Sequence, residues 1–486
     1  MENVTEEKTA GSPREKFTSD KMKNTTMVRL ILQMSIPAML SMLVLSLYNI
    51  VDSVFLSRFD VKALDALSIA FPMQQFMIAF SVGVAIGTNA YVARKLGQKK
   101  YKEATLTAQT GLFLSMCCSL MFVVIAFTLS RPFVSAFSSD PTTIEYGVTY
   151  LTIVMSLSMA SFVDVLCARV LQATGNMLVP MITQIVGAVV NIALDPIFIF
   201  VADLGVTGAA IATVAGQVAS MSIGLLVFRF KKHDVNLFFD KSFRLKGKIV
   251  KGILKIGLPT IVMNSVSAFV TVVLNAILKA YQSAITVLGV YFKLQSFVFM
   301  PIFGLNQGAL PVMSYNYGAK DKKRFLEAVK WCLIFALSMM TIGLLLFQLL
   351  PDQLLRLFNA EGELLRVGRL ALRVISVCFP FAAVGIIGAT SMQALRYGTM
   401  SMIVSLMRQV ILLIPFSLLL SHYFGVDGVW AAYPASEAGA AILTVILLPM
   451  LLKKCFDQKN LSTDLSEKEQ KTEKNPNDAG GTTVDA

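Results

Sequence analysis

The chain is poor in charge. Only 15% of its 486 residues are Asp, Glu, Lys or Arg, against roughly 25% in a soluble protein, which excludes a water-facing surface over most of its length. Histidine and tryptophan occur twice each. His233 and His422 stand far apart in loop-like stretches, so no histidine metal cluster or histidine-driven catalytic pair is in sight. The six cysteines (Cys117, Cys118, Cys167, Cys332, Cys378 and Cys455) lack metal-type spacing. They read as small packing residues rather than disulfides. There is no Walker motif and no glycine-rich nucleotide fingerprint following a strand. These absences argue against an enzyme and against any cofactor. The first 29 residues have no basic region, apolar run and cleavage site in sequence, so no removable signal peptide is expected.

In place of charge there is hydrophobicity, at 55% of residues with a mean hydropathy of +0.66. Uncharged runs recur at Ala104–Ser130, Val170–Leu194, Leu204–Phe228, Ile256–Leu278, Leu294–Ala319, Trp331–Pro351 and Val374–Leu395. Each is long enough to cross a ~30 Å hydrocarbon core as a helix of about 20 residues. The expectation is an all-α polytopic membrane protein with twelve transmembrane helices in a lipid bilayer.

The net charge of +13 could suggest nucleic acid, but its placement argues against that partner. Lys and Arg gather in alternate connections: Arg94 to Lys102, Arg229 to Lys255, Lys320 to Arg324, and Lys453 with Lys454. The intervening connections carry few. That asymmetry places the basic connections, and both termini, in the cytoplasm of a multi-pass protein of the cytoplasmic membrane.

The two halves resemble each other. "GVAIGTNAYVARKLGQKK" (Gly83–Lys100) aligns without a gap to "GLNQGALPVMSYNYGAKD" (Gly304–Asp321), pairing Gly83 with Gly304, Gly87 with Gly308 and Gly97 with Gly318. Gln74 then meets Gln295, Gln172 meets Gln393, and Pro37 meets Pro259. Six spans per half give both halves the same orientation, so they form two lobes related by a pseudo-twofold axis along the membrane normal. The expected organisation is a cytoplasmic segment at 1–29, a first lobe at 30–228 and a linker at 229–251. A second lobe at 252–454 and a disordered tail at 455–486 complete it. Two like-oriented bundles around a cleft suit a transporter that rocks one lobe against the other. The twofold is internal to the chain, and a monomer is expected.

Ionisable residues within spans are the first functional candidates, because charge at mid-bilayer costs several kcal/mol unless solvated or paired. Asp52, Asp164, Asp195 and Glu437 qualify. In "NIALDPIFIF" (Asn191–Phe200), Asn191 and Asp195 lie four apart on one helix face. Pro196 has no N–H, so the Ile192 carbonyl loses its helical donor and the helix gains a hinge. These are hard oxygen ligands, suited to Na⁺ or to an exchangeable proton. The competing reading is an acid solvated near a helix end. Positions of the second half aligned with Asp52, Asn191 and Asp195 are apolar, near Leu274, Leu412 and Phe416. The scaffold is duplicated while the acid pair is not, which favours a functional role. Gln74 and Gln295 are candidate hydrogen-bond donors in the cleft, or ordinary interhelical partners.

"YNIVDSVFL", "LQATGNMLVP", "NIALDPIFIF" and "GALPVMSYNYGAK", in this order, resemble the MATE (multidrug and toxic compound extrusion) exporters, in particular the bacterial MepA-type branch. The resemblance extends from about Leu30 to Lys454. It implies exchange of Na⁺ or H⁺ for amphipathic, often cationic, small molecules. It further implies a cation site in the first lobe made of Asp52, Tyr150, Asn191, Asp195 and Thr213. Na⁺, if used, would lie among Asp52, Asn191, Asp195 and Thr213. Some members carry an acid in span 7, where this sequence has Asn264 and Ser265. The rival function is a flippase for a lipid-linked precursor from the same exporter superfamily. Such proteins favour a strongly cationic cleft, whereas the deep ionisable groups singled out above are acidic.

Overall fold

The computed structural model describes residues 25–59, 61–230, 234–239, 243–278, 282–356 and 362–473. Some side chains within its helices, Asp52 among them, lie outside the described set. Among the described residues there is no strand. The helices are α1 (Met27–Phe59), α2 (Val61–Gly97), α3 (Tyr101–Ser135), α4 (Pro141–Ser156), α5 (Met159–Ala173), α6 (Leu178–Pro196) and α7 (Gly205–Phe230). In the second half they are α8 (Gly247–Ile277), α9 (Gln282–Gly318), α10 (Lys322–Leu349), α11 (Pro351–Arg356), α12 (Gly362–Ser376), α13 (Phe379–Ala394), α14 (Gly398–Leu406), α15 (Leu413–Phe424) and α16 (Val426–Glu473).

Among the described residues, ten helices are long and apolar enough to span a membrane, and twelve spans result if each of two bent pairs counts as one. The bends are related by the repeat: α4 meets α5 at 49°, and α12 meets α13 at 45°. Backbone conformation repeats too. Positive φ angles recur at Lys99 (58°) and Lys320 (61°), at Gly175 (80°) and Arg396 (72°), and at Gly205 (50°) and Gly425 (59°). A left-handed lysine or arginine is uncommon because its Cβ crowds the neighbouring carbonyl. Its recurrence at equivalent turns shows that the duplication is structural.

α7 ends at Phe230 and α8 begins at Gly247, so the basic stretch between the halves is the connection between the last helix of one and the first of the other. α16 continues to Glu473, well past the boundary at 455 where a structureless tail was expected. "DQKNLSTDLSEKEQKTE" is rich in Lys, Glu, Gln and Leu, all good helix formers, so lack of apolar content does not end the helix. Residues 474–486 lie outside the described residues.

The lobes meet through α1 and α2 of the first and α8 and α9 of the second. The contact lies toward the end where the Lys- and Arg-rich connections gather. It is made by the glycines the repeat aligns. A Cβ on Gly83 or Gly87 would run into α8 backbone at Gly257 or Ile253, and one on Gly304 or Gly308 into α1 at Met39 or Ser35. Gly97 and Gly318 face each other's helices at Tyr315 and Arg94. Helices without a Cβ at the crossing approach closely and maximise dispersion contact, the principal attraction between helices in lipid. Large side chains fill each lobe elsewhere, as around Phe122, Tyr150 and Phe162 in the first.

Candidate ion site and interlobe cavity

α6 and α7 pack backbone against backbone. A Cβ on Gly216 would lie 2.5 Å from the Gly187 carbonyl oxygen and 3.2 Å from Asn191 Cβ. This contact brings Asn191 of α6 against Thr213 of α7, with Asn191 Nδ2 3.5 Å from Thr213 Oγ1. With the amide turned, Asn191 donates to Asp195 Oδ2 at 3.2 Å and accepts from the Thr213 N–H at 3.1 Å. That orientation satisfies both ends of the amide, whereas the other aims oxygen only at acceptors. Asn191, Asp195 and Thr213 are 3%, 0% and 5% exposed. One compact site therefore holds a carboxylate, an amide and a hydroxyl, out of reach of bulk water.

Immediately after Pro196 the helix widens into a π-turn, Ile197–Val201, with the Ala202 N–H reaching the Ile197 carbonyl at 2.8 Å. The missing proline N–H breaks the α-helical ladder, and the wider turn re-satisfies the carbonyls beyond it. Gly208 lets α7 close against this turn at Phe198.

Tyr150 is buried on α4, which lies against α7, among the aromatic cluster of the first lobe. Asp52 falls on α1, its side chain outside the described residues. Asp164 on α5 accepts from Ser220 Oγ of α7 at 2.6 Å, a local interhelical tie. The structure thus brings together Asn191, Asp195 and Thr213, and sets Tyr150 on a neighbouring helix.

A cavity of about 300 Å³ lies where the second lobe faces α2 and α5. Gln74 and Gln295, half-buried on α2 and α9, do not line it. It is walled instead by Arg169, Asn264, Asn306, Gln307, Thr390 and Arg408, with apolar surface from Phe303 and Met263. Gln172, on α5, ties the lobes together, accepting from Arg169 Nη1 at 3.1 Å and donating to Gln307 Oε1 of α9 at 3.3 Å. Thr390 donates to Asn306. Arg408 pairs with Glu437 of α16 at 3.2 Å.

Arg169 and Arg408 were not among the candidates drawn from the sequence. Arg169 immediately precedes the uncharged run beginning at Val170 and lies within α5. Arg408 had a legible signal, a lone cation within an apolar span that faces the lone acid Glu437 of the next.

Comparison with known proteins decides the family. The MatE family profile matches residues 37–197 and 256–419, one block in each lobe and well over half the chain. The chain belongs to the MatE family. Among curated relatives of this MATE transporter, the multidrug export protein MepA of Staphylococcus aureus (strain MRSA252) is 24% identical over 423 residues, covering 86% of this chain and 93% of that protein. MepA of Staphylococcus haemolyticus (strain JCSC1435) is 23% identical, covering 88% and 94%. Among solved structures, the outward-facing conformation of a multidrug resistance MATE family transporter superposes with a TM-score of 0.85 at 23% identity, covering 90% of this chain and 98% of that one. The two-lobe fold expected from the internal repeat is observed, and the family is the one the motifs resemble.

Proposed function

We propose that this MATE transporter exports amphipathic small molecules in exchange for H⁺ or Na⁺. The observation that carries the reading is the triad Asn191–Asp195–Thr213, a fully buried carboxylate beside two oxygen-bearing side chains and directly before a π-turn. An anionic carboxylate enclosed this way is costly, so a proton or a Na⁺ is held there strongly and its release is coupled to a change of shape. Two curated relatives are named for multidrug export, which supports the substrate class.

Taking the basic end as cytoplasmic, the conformation described here is closed on that side by the glycine contacts of α1, α2, α8 and α9. It faces outward. An ion arriving from outside would load Asp195, the turn after Pro196 would adjust, and α6 would shift against α7. Substrate released to the outside is replaced by a second molecule once the lobes part at the basic end.

The test uses the full chain in proteoliposomes under an imposed pH or Na⁺ gradient, with ethidium and dansylglycine as amphipathic probes. The native protein moves at least one of them only when a gradient is present, and Asp195→Asn moves neither. Movement independent of any gradient, or undiminished in Asp195→Asn, would sink the mechanism.

A further inference from the structure

We infer that the interlobe cavity takes the anionic group of its substrate, a carboxylate held at Arg169 with Arg408 nearby, so that its ligands are small aromatic acids or zwitterions rather than simple cations. The inference rests on the export reading for its place in transport, and on the cavity alone for its chemistry.

Among the described residues, no carboxylate lines the cavity. Two guanidinium groups do. Arg408 is neutralised by Glu437, whereas Arg169 has no ion-pair partner among the described residues. A charge buried without a counter-charge is costly within a membrane. A long side chain near a helix end commonly escapes that cost by reaching to the water interface. Arg169 instead turns inward, donating to Gln172, which is 3% exposed, and it lines the cavity. A guanidinium carries five N–H donors in a planar fork that matches a carboxylate. Its geometry against Gln172 uses one.

The rest of the wall fits the rest of such a ligand. Asn264 donates one amide hydrogen to the Thr260 carbonyl at 2.9 Å, leaving the second for a ligand. Phe303 and Met263 add aromatic and thioether surface to the wall, suited to an aromatic body. Size then selects among anions. About 300 Å³ is at the lower limit of ligand pockets, which run from roughly 300 to 1,000 Å³. One or two fused rings with an acid fit; the sugar-pyrophosphate head of a lipid-linked precursor does not. The positive wall therefore does not favour a flippase.

The test is equilibrium binding to the purified full-length protein in detergent, read by the environment-sensitive fluorescence of three dansyl probes. Dansylglycine carries a carboxylate, its methyl ester is neutral, and N-(2-aminoethyl)dansylamide carries an ammonium. Dansylglycine should bind at least tenfold more tightly than the ester, with the ammonium probe weakest. Arg169→Gln should abolish that preference while ester binding stays within twofold, and Arg169→Lys should restore part of it. Glu437→Gln, which frees Arg408, should tighten dansylglycine. Equal binding of acid and ester, or preference for the ammonium, overturns the inference in the native protein alone, whatever the variants do. An unchanged dansylglycine affinity in Arg169→Gln overturns it too. Ethidium export driven by a gradient, without acid preference, leaves the export reading standing and this one lost. Acid binding at Arg169 with no gradient-driven export does the reverse.

Discussion

Gly187 and Gly216 touch across α6 and α7, the carbonyl of each lying where a Cβ of the other would be. That contact sets the distance between Asn191 and Thr213, because each polar residue stands one turn from its helix's glycine. Gly216→Val would push the helices apart. Overpacking of this kind costs about 1–3 kcal/mol, too little to unfold a chain of this size but enough to separate amide from hydroxyl. We expect gradient-driven transport to fall at least tenfold while the protein still elutes as a single monodisperse species. Unchanged transport would mean that the triad does not depend on this packing.

Thr213 distinguishes the two candidate ions. A proton needs only the Asp195 carboxylate, whereas Na⁺ is a hard cation that needs several oxygens. Thr213→Val keeps the shape and deletes one oxygen. Transport driven by a Na⁺ gradient should lose at least tenfold, and transport driven by a pH gradient should change less than twofold. The readout is initial uptake rate in proteoliposomes, each gradient imposed alone.

The candidate site was legible because a four-residue spacing survives any rearrangement of the fold: Asn191 and Asp195 share a face wherever α6 lies. Pro196 likewise announced a break, and the π-turn begins at the next residue. Thr213 and Tyr150 were not legible from the residues alone, since a Thr in "GAAIATVAG" or a Tyr in an apolar span has no local feature to distinguish it. They came from family resemblance. The bend between α4 and α5 was hidden for a related reason. Its counterpart between α12 and α13 is marked by Pro380 in the first turn of α13, while the stretch Ser156–Ser158 contains neither proline nor glycine. The polar wall of the cavity is assembled from α5, α8, α9, α13 and the stretch between α14 and α15, and no single stretch of chain contains enough of it to be recognised.

The Arg408–Glu437 pair is half of the asymmetry between the lobes. The last two spans of the first lobe meet glycine to glycine at Gly187 and Gly216; those of the second carry in addition an ion pair whose side chains are 21% and 14% exposed. Removing one partner strands the other charge, at a cost of about 3–5 kcal/mol, while removing both is often neutral. Arg408→Gln should therefore lower the thermal unfolding midpoint clearly, and Arg408→Gln combined with Glu437→Gln should recover most of the loss. A double variant as unstable as the single would show that the guanidinium is held by something other than Glu437.

Gly97 and Gly318 give the most direct handle on the conformational cycle. They occupy equivalent places in the two lobes, at the ends of α2 and α9, and each leaves room for the other helix's backbone. Next to them Arg94 is 5% exposed, its guanidinium 4.3 Å from the Tyr91 ring centre, with Arg396 of the second lobe 6.0 Å from the same ring. Two cations sharing one ring repel each other, so this end of the interface depends on backbone packing more than on charge. Gly318→Val introduces a clash with Arg94 only while the lobes are closed here, and the open arrangement is relieved of it. A difference of about 1–3 kcal/mol shifts a two-state population by roughly 5- to 150-fold. Hydrogen exchange followed by mass spectrometry should show faster exchange at residues 83–97 and 304–318 in the variant, by at least tenfold, with α3 and α10 unchanged. Faster exchange throughout both lobes would instead signal general destabilisation, and no change would place the closing contact elsewhere.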